Sequence, residues 1–144
     1  MASSNVRLFL DQPIAEGQSV PLGREQAHYL FGVMRLGVGD RLAIFNRTSG
    51  EWRAEVAEAG KRAGVLTPLE QTAPQRVPPD LWLIFAPIKK ERTDFIVEKA
   101  TEMGAAVIQP VRTDYTQSAR VNVARLSAHA VEAVEQCGGT FIPE

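Results

Sequence analysis

The chain has 144 residues, 44% of them hydrophobic, and a formal net charge of −1, which suits one or two small domains and excludes a general electrostatic attraction to nucleic acid. Its one cysteine and two histidines exclude a disulfide framework and give no metal-ligand spacing. There is no signal-peptide pattern, and no apolar run approaches the roughly 20 residues that span a bilayer, so we expect a soluble, cytoplasmic protein.

Short strands separated by turns are predicted in the first part of the chain. They are typical of a small β-barrel, with an open sheet as the alternative. The predicted strands are residues 6–10, 41–45, 51–56 and 64–67. One helix is predicted over residues 24–35, because Ala27, Leu30, Phe31 and Met34 fall at i, i+3, i+4 and i+7.

A linker is predicted at residues 71–79, where three prolines occur with little apolar periodicity. It separates a domain at 1–70 from a second domain at 80–144. The second domain is predicted as strand, helix, strand and helix, the pattern of a βαβ unit in a parallel sheet. These elements are residues 81–86, expected to be buried on both faces, then 91–103, 106–111 and 122–136. Residues 141–144 resemble the start of another strand, so we expect more sheet to follow in the natural protein.

Both predicted helices of the second domain carry an apolar stripe. On the first helix the stripe is Phe95, Ile96, Lys99, Ala100 and Met103. On the second it is Val123, Leu126, Ala130, Val134 and Cys137. We expect Cys137 to be a small core residue and not a nucleophile, because no neighbouring group lowers the pKa of its thiol.

His28 and Arg35 are the first candidates for RNA contact. They lie seven positions apart on the predicted helix, so they project from one side after two turns and are suited to grip a phosphate or stack on a base. The alternative is a surface histidine beside an arginine paired with Asp40 or Glu25.

Lys89, Lys90 and Arg92 are the second candidates. They lie between a predicted strand and a helix, where the carboxyl end of the strand and the N-terminus of the helix favour anions. We therefore expect them to hold RNA phosphates, with a solvated loop as the alternative.

Glu98, Lys99 and Glu102 lie close together on the first of these helices. A carboxylate pair suggests acid–base chemistry, but the spacing favours surface charges with a pair between Lys99 and Glu102. The glycine motifs of dinucleotide and nucleoside-triphosphate enzymes are missing from the sequence, which counts against both classes.

Taken in order, these motifs resemble the ribosomal RNA small-subunit methyltransferase E family. The matching segments are residues 28–40, 89–105, 108–110 and 134–138. The sequence EKATEMG at residues 98–104 is the most specific of them.

The resemblance implies a small PUA-like RNA-binding barrel followed by the first βαβα portion of a SPOUT domain, without its trefoil knot. It implies methyl transfer from S-adenosylmethionine to N3 of a uridine in 16S rRNA of the 30S subunit, by a homodimer that needs no metal and no membrane. In this family the donor site lies beyond residue 144, so we expect an inactive fragment with no cofactor-binding residue. Lys99, Glu102 and Gln136 become candidates for structural or substrate-side roles, and no catalytic residue is assigned.

The sequence departs from the family pattern in two places. Gly139 stands where an arginine is common after the glutamine of the last motif, and the turn at residues 46–50 is unusually polar and basic. Two other functions stay open. A non-catalytic RNA-binding module would show RNA affinity without donor affinity, and the missing glycine motif counts against an α/β enzyme for a small phosphorylated ligand.

Overall fold

The structure is a computed structural model that describes residues 3–116 and 120–144. The chain divides into two compact units, residues 1–75 (unit 1) and residues 76–144 (unit 2). Unit 1 contains β1 (Ser3–Phe9), β2 (Val20–Leu22), α1 (Arg24–Ala27), a π-helical turn (His28–Val33), β3 (Arg41–Phe45), β4 (Glu51–Ala59) and β5 (Gly64–Ala73). Unit 2 contains β6 (Trp82–Phe85), α2 (Lys90–Glu102), β7 (Val107–Pro110) and α3 (Val123–Cys137). No helix in the described part is long and apolar enough to cross a membrane.

Unit 1 is built on a five-stranded mixed sheet in the order β1-β3-β4-β5-β2. β1 and β3 are parallel, and the other neighbours are antiparallel. The four predicted strands are all present, whereas β2 was missed. It has only three residues with Pro21 at its centre, which no alternation pattern reveals. Closure of this sheet into a barrel stays a prediction.

One continuous core fills unit 1, because alternate residues of each strand point to the same face. Leu30 of the π-helical turn joins it and is fully buried. The core consists of Val6, Leu8, Leu10, Ile14, Val20, Leu22, Leu30, Leu42, Ile44, Ala54, Val56 and Leu66.

The prediction of one regular helix over residues 24–35 is wrong beyond Ala27. The amide of Met34 donates to the carbonyl of Tyr29 at 2.9 Å, an i→i+5 bond of a π-helical turn. The wider turn rotates Met34 out of the apolar stripe, and its side chain is 41% exposed. Arg35 follows with a positive φ of 56°, which ends the helix two residues before Gly37.

Unit 2 contains the predicted βαβα order, with β6 and β7 paired in parallel. α2 and α3 pack on one face of this two-stranded sheet around Val97, Leu126 and Ala130, with Phe85 and Ile108 at the margin. The backbone of Glu144 also bonds to the edge of β7, through Ala106 and Ile108 at 3.0 and 2.8 Å. β5 runs to Ala73, so the first residues of the predicted linker are paired in the sheet.

The expectation that residues 81–86 are buried on both faces is wrong. Successive strand residues face opposite sides of a sheet, and the described helices cover the side that holds Phe85. Trp82 and Ile84 face the other side and are 58% and 60% exposed.

The predicted apolar stripe of α2 is also wrong, because the buried residues are Thr93, Val97 and Thr101. Thr101 can be buried because its hydroxyl donates to the carbonyl of Val97 at 2.7 Å. Phe95 and Met103, which were expected to face the core, are exposed.

The termini of the unit 2 helices follow the sequence more closely than their faces do. Asn122 caps α3, since its side chain accepts from the amide of Arg125, and Gly104 and Gly138, which follow α2 and α3, have the left-handed conformation that glycine permits. Cys137 is exposed, so its prediction as a core residue is wrong; Ala133 is buried on α3 instead.

Candidate functional site

A cavity of about 280 Å³ in unit 2 lies at the N-terminal ends of α2 and α3. Basic side chains line it from both sides, and the positive ends of two helix dipoles add to their charge. Such a site is suited to an anion. The lining of this unit 2 cavity is Pro87, Ile88, Lys90, Thr93, Arg120, Val121, Asn122, Arg125 and Leu126.

Two sets of hydrogen bonds hold the walls of the unit 2 cavity. The hydroxyl of Thr93 accepts from the amide of Ile88 and donates to its carbonyl, both at 3.1 Å, which fixes the turn before α2. On the other wall, Oδ1 of Asn122 accepts from the amide of Arg125 at 3.0 Å and fixes the first turn of α3. The position of Arg125 therefore depends on the Asn122 cap of α3, and that of Lys90 on the turn that Thr93 holds before α2.

Asp94 links the two helices behind the cavity. Its Oδ2 lies 2.6 Å from Nη1 of Arg125 and 3.5 Å from Nε2 of His129, while Oδ1 is buried without a hydrogen-bond partner among the described residues. The carboxylate fixes one side of the Arg125 guanidinium. Sequence reasoning missed this pair because its members lie 31 positions apart on different helices.

The structure separates the three cations predicted around the start of α2. Lys90 lines the unit 2 cavity, whereas Lys89 and Arg92 are exposed residues outside its lining. In the lining of this cavity, Arg120 and Arg125 accompany Lys90 in place of Lys89 and Arg92. RNA binding by Lys89, Lys90 and Arg92 stays a prediction.

Lys99 and Glu102 form the predicted ion pair, with Nζ 3.0 Å from Oε2. This hydrogen bond raises the pKa of Lys99 above its ordinary value, so Lys99 stays protonated at neutral pH and is unsuited to act as a general base. Gln136 is exposed near the end of α3. The substrate-side roles of these three residues stay predictions.

Unit 1 has a second candidate, which we call the unit 1 groove. It consists of two cavities of about 540 and 470 Å³ that share His28 and Lys61. The first is lined by Arg24, Glu25, His28, Lys61 and Arg62, and the second by Ala27, His28, Phe31, Gly32, Ala59, Gly60 and Lys61. The groove therefore has a cationic half and a half with ring and small side chains.

Of the first predicted pair, only His28 lines the groove; Arg35 does not. The prediction placed them on one side by α-helical geometry, which the π-helical turn removes. Arg35 forms no ion pair with Asp40 or Glu25 within residues 3–116. The carboxylate of Asp40 instead accepts from the amide of Gly37 at 2.8 Å. In the described ranges no cluster of three or more His, Cys, Asp or Glu is placed to hold a metal ion.

Comparison with known proteins matches both units to domains of RNA methyltransferases. A family model described as an RNA methyltransferase PUA domain matches residues 22–69, and one described as an RNA methyltransferase domain matches residues 75–144. A protein named ribosomal RNA small subunit methyltransferase E from Rickettsia conorii is 32% identical over 131 residues, 90% of this chain and 54% of the relative. The chain belongs to the ribosomal RNA small subunit methyltransferase E family. A family member from Synechocystis is 30% identical over 128 residues, 87% of this chain and 42% of the relative. The chain thus spans about half the length of the curated relatives it matches.

Solved structures show that the fold is shared with methyltransferases. The family member from Neisseria gonorrhoeae, solved with bound S-adenosylmethionine, has a TM-score of 0.87 and 23% identity, covering 97% of this chain and 60% of that one. A methyltransferase from Legionella pneumophila, also solved with bound S-adenosylmethionine, has a TM-score of 0.86 and 24% identity, covering 98% and 61%.

Proposed function

We propose that this chain supplies RNA contacts to an S-adenosylmethionine-dependent methyltransferase that acts on N3 of a uridine in 16S rRNA of the small ribosomal subunit. The cation-lined cavity of unit 2 carries the proposal. Membership of a family whose curated relatives are named for ribosomal RNA supports RNA as the anion. A non-catalytic RNA-binding module is the alternative, and the same cavity supports it.

The chemistry of the cavity suits an RNA phosphate. Lys90, Arg120 and Arg125 line it without a carboxylate among the lining residues. A guanidinium offers paired N–H donors that match phosphate oxygens, and the helix N-termini add favourable partial charge. Asp94 fixes one edge of Arg125, which lowers the entropy lost when the other edge binds.

Uridine N3 lies on the pairing edge of the base, so the base must be unpaired before it can react. The reaction also needs the N3 proton removed and N3 held in line with the methyl carbon. Positioning of this kind is worth up to about 7–11 kcal/mol in well-oriented systems. Contacts to phosphates on either side of the base would contribute to that positioning.

The unit 2 cavity does not fit the methyl donor. S-adenosylmethionine is itself a sulfonium cation, and the cations that line the unit 2 cavity would repel it. The cavity, at about 280 Å³, is also below the range of about 300–1,000 Å³ usual for small-molecule sites. We place the donor site, the SPOUT knot and the homodimer contact in the longer protein of the family, with the cytoplasm as its location. No transfer step is assigned to residues of this chain.

Binding of the chain to small ribosomal subunits that lack the methyl group tests the proposal. The double variant Lys90→Gln, Arg120→Gln leaves the pair between Asp94 and Arg125 in place, and we expect it to bind at least about tenfold more weakly, with a salt slope lower by about 1.4 for two lost phosphate contacts. Arg53→Gln is the matched control, because Arg53 is an exposed cation paired with Glu70. Equal binding by the double variant and the control would contradict the proposal, and methyl transfer by the 144-residue chain alone would contradict the placement of the donor site.

A further inference from the structure

The basic residues of unit 1 divide into two groups. Unit 1 contains eight lysines and arginines, and four of them pair with carboxylates. These four pairs are Arg7–Glu51, Arg41–Glu55, Arg47–Asp11 and Arg53–Glu70. The other four form no ion pair within the described residues, and three of them, Arg24, Lys61 and Arg62, line the unit 1 groove, whereas Arg35 does not. Glu25 is the acidic residue in this lining, so the positive charge there is largely uncompensated.

Two glycines place aromatic rings in the other half of the groove. A Cβ on Gly64 would lie 2.5 Å from Cε2 of Phe31, so the ring lies against the start of β5 only because this residue is glycine. A Cβ on Gly32 would lie 3.1 Å from Nδ1 of His28, so the imidazole lies close to the backbone of the π-helical turn. The rings of Phe31 and His28 therefore line a cavity of about 470 Å³ together with small side chains.

The backbone beside the groove is unusual at two points. His28, Phe31 and Gly32 belong to a π-helical turn, and Arg35 follows it with a positive φ of 56°. Both conformations are costly and occur often at functional sites. His28 and Phe31 of this turn line the same cavity.

We propose that the unit 1 groove holds one unpaired nucleotide of the RNA. Its phosphates contact Arg24, Lys61 and Arg62, and its base lies against the rings of His28 and Phe31. Aromatic rings beside a cationic track are the usual means of binding single-stranded RNA. An acidic peptide would use the cations but leave the rings without a partner, so the rings favour RNA. The inference rests on the proposed function, because it takes RNA as the ligand.

Fluorescence anisotropy of labelled hexauridylate with the full chain tests the cationic half. We expect Lys61→Gln combined with Arg62→Gln to weaken binding about tenfold and to lower the salt slope by about 0.7–1.4, since one or two phosphate contacts are lost. Arg53→Gln, the same change at a paired cation, is the matched control and should bind like the unaltered chain. Equal binding by the double variant and the control overturns the proposal.

An abasic oligomer of the same length tests the half with the rings. Stacking predicts that it binds about tenfold more weakly than hexauridylate, and that His28→Ala reduces this preference. Equal affinity for the two oligomers overturns the base contact, and equal competition by polyglutamate overturns RNA as the ligand. If Lys90→Gln with Arg120→Gln weakens binding to ribosomal subunits while the groove variants bind normally, only the groove proposal fails. If the unaltered chain binds neither hexauridylate nor ribosomal subunits, the proposed function fails as well.

Discussion

The two units bury apolar surface to very different extents. Among the described residues, unit 1 has twelve buried residues in one core cluster, whereas the core cluster of unit 2 has three, Val97, Leu126 and Ala130. Unit 2 also leaves Trp82, Ile84 and Phe95 exposed. Because stability scales with the apolar area removed from water, we expect unit 1 to be the more stable unit.

The two candidate sites are also held in place by different kinds of contact. The unit 1 groove is bordered by the ring of Phe31, which lies against Gly64, where a larger side chain would clash with the ring and the backbone. In the unit 2 cavity, Arg125 is fixed by a carboxylate, Asp94, on a second helix. We therefore expect surface substitutions to leave the shape of the unit 1 groove unchanged, whereas the loss of Asp94 should disturb the shape of the unit 2 cavity.

The largest expected effect is the loss of a leucine from the core of unit 1. Leu66→Ala should lower the free energy of unfolding by about 3–5 kcal/mol, because Leu66 is fully buried and the cavity cannot collapse. Leu126→Ala should cost about 2 kcal/mol, because Leu126 borders cavities that are already open. Urea denaturation followed by tryptophan fluorescence measures both in single-tryptophan backgrounds, with Trp52 kept to report on unit 1 and Trp82 kept to report on unit 2. Equal costs would show that the two cores are equally well packed.

The next largest effect on stability is expected from alanine substitutions at two glycines with positive φ, one in each unit. Gly50 has a φ of +73°, and a Cβ there would overlap the backbone at Ala73, so Gly50→Ala should cost about 3 kcal/mol. Gly138 has a φ of +79° with nothing near its missing Cβ, so Gly138→Ala should cost about 1 kcal/mol. Thermal unfolding of the two variants measures the difference, and similar melting temperatures would contradict it.

Asp94→Asn should destabilise unit 2 by about 2 kcal/mol, because it leaves the half-buried Arg125 without its charged partner. Its control is Glu70→Gln, which breaks an exposed pair of unit 1 and should cost less than about 1 kcal/mol. Urea denaturation in the single-tryptophan backgrounds gives the first value from the fluorescence of Trp82 and the second from that of Trp52. If Asp94→Asn costs no more than Glu70→Gln, the carboxylate of Asp94 does not stabilise unit 2 as we expect.

The smallest effect concerns the exposed pair of Lys99 and Glu102. The pKa of Lys99 is raised in the folded state, so the contribution of the pair is complete below the unfolded pKa and is lost only as the pH rises through the folded value. The difference in stability between the unaltered chain and Lys99→Gln should therefore be constant from neutral pH to about pH 9. A difference that disappears in this interval would show that another group controls the pair.

Local patterns predicted much of the fold, and the failures have physical causes. Alternation predicted β4, and a short run between turns predicted β3, because these signals depend on neighbouring residues. The contact between Asp94 and Arg125 depends on the packing of two helices, which no spacing rule contains. Buried threonines such as Thr101 hid the core face of α2, because their hydroxyls are satisfied by the helix backbone.

The most direct test of the central claim is the salt dependence of binding to small ribosomal subunits that lack the methyl group. The fourfold variant Lys61→Gln, Arg62→Gln, Lys90→Gln, Arg120→Gln is compared with Arg53→Gln. If both cationic sites contact RNA, the fourfold variant loses affinity and its salt slope falls by about 2–3. The control then has the affinity and the salt slope of the unaltered chain. Equal affinity and equal slope for the two variants would contradict the account.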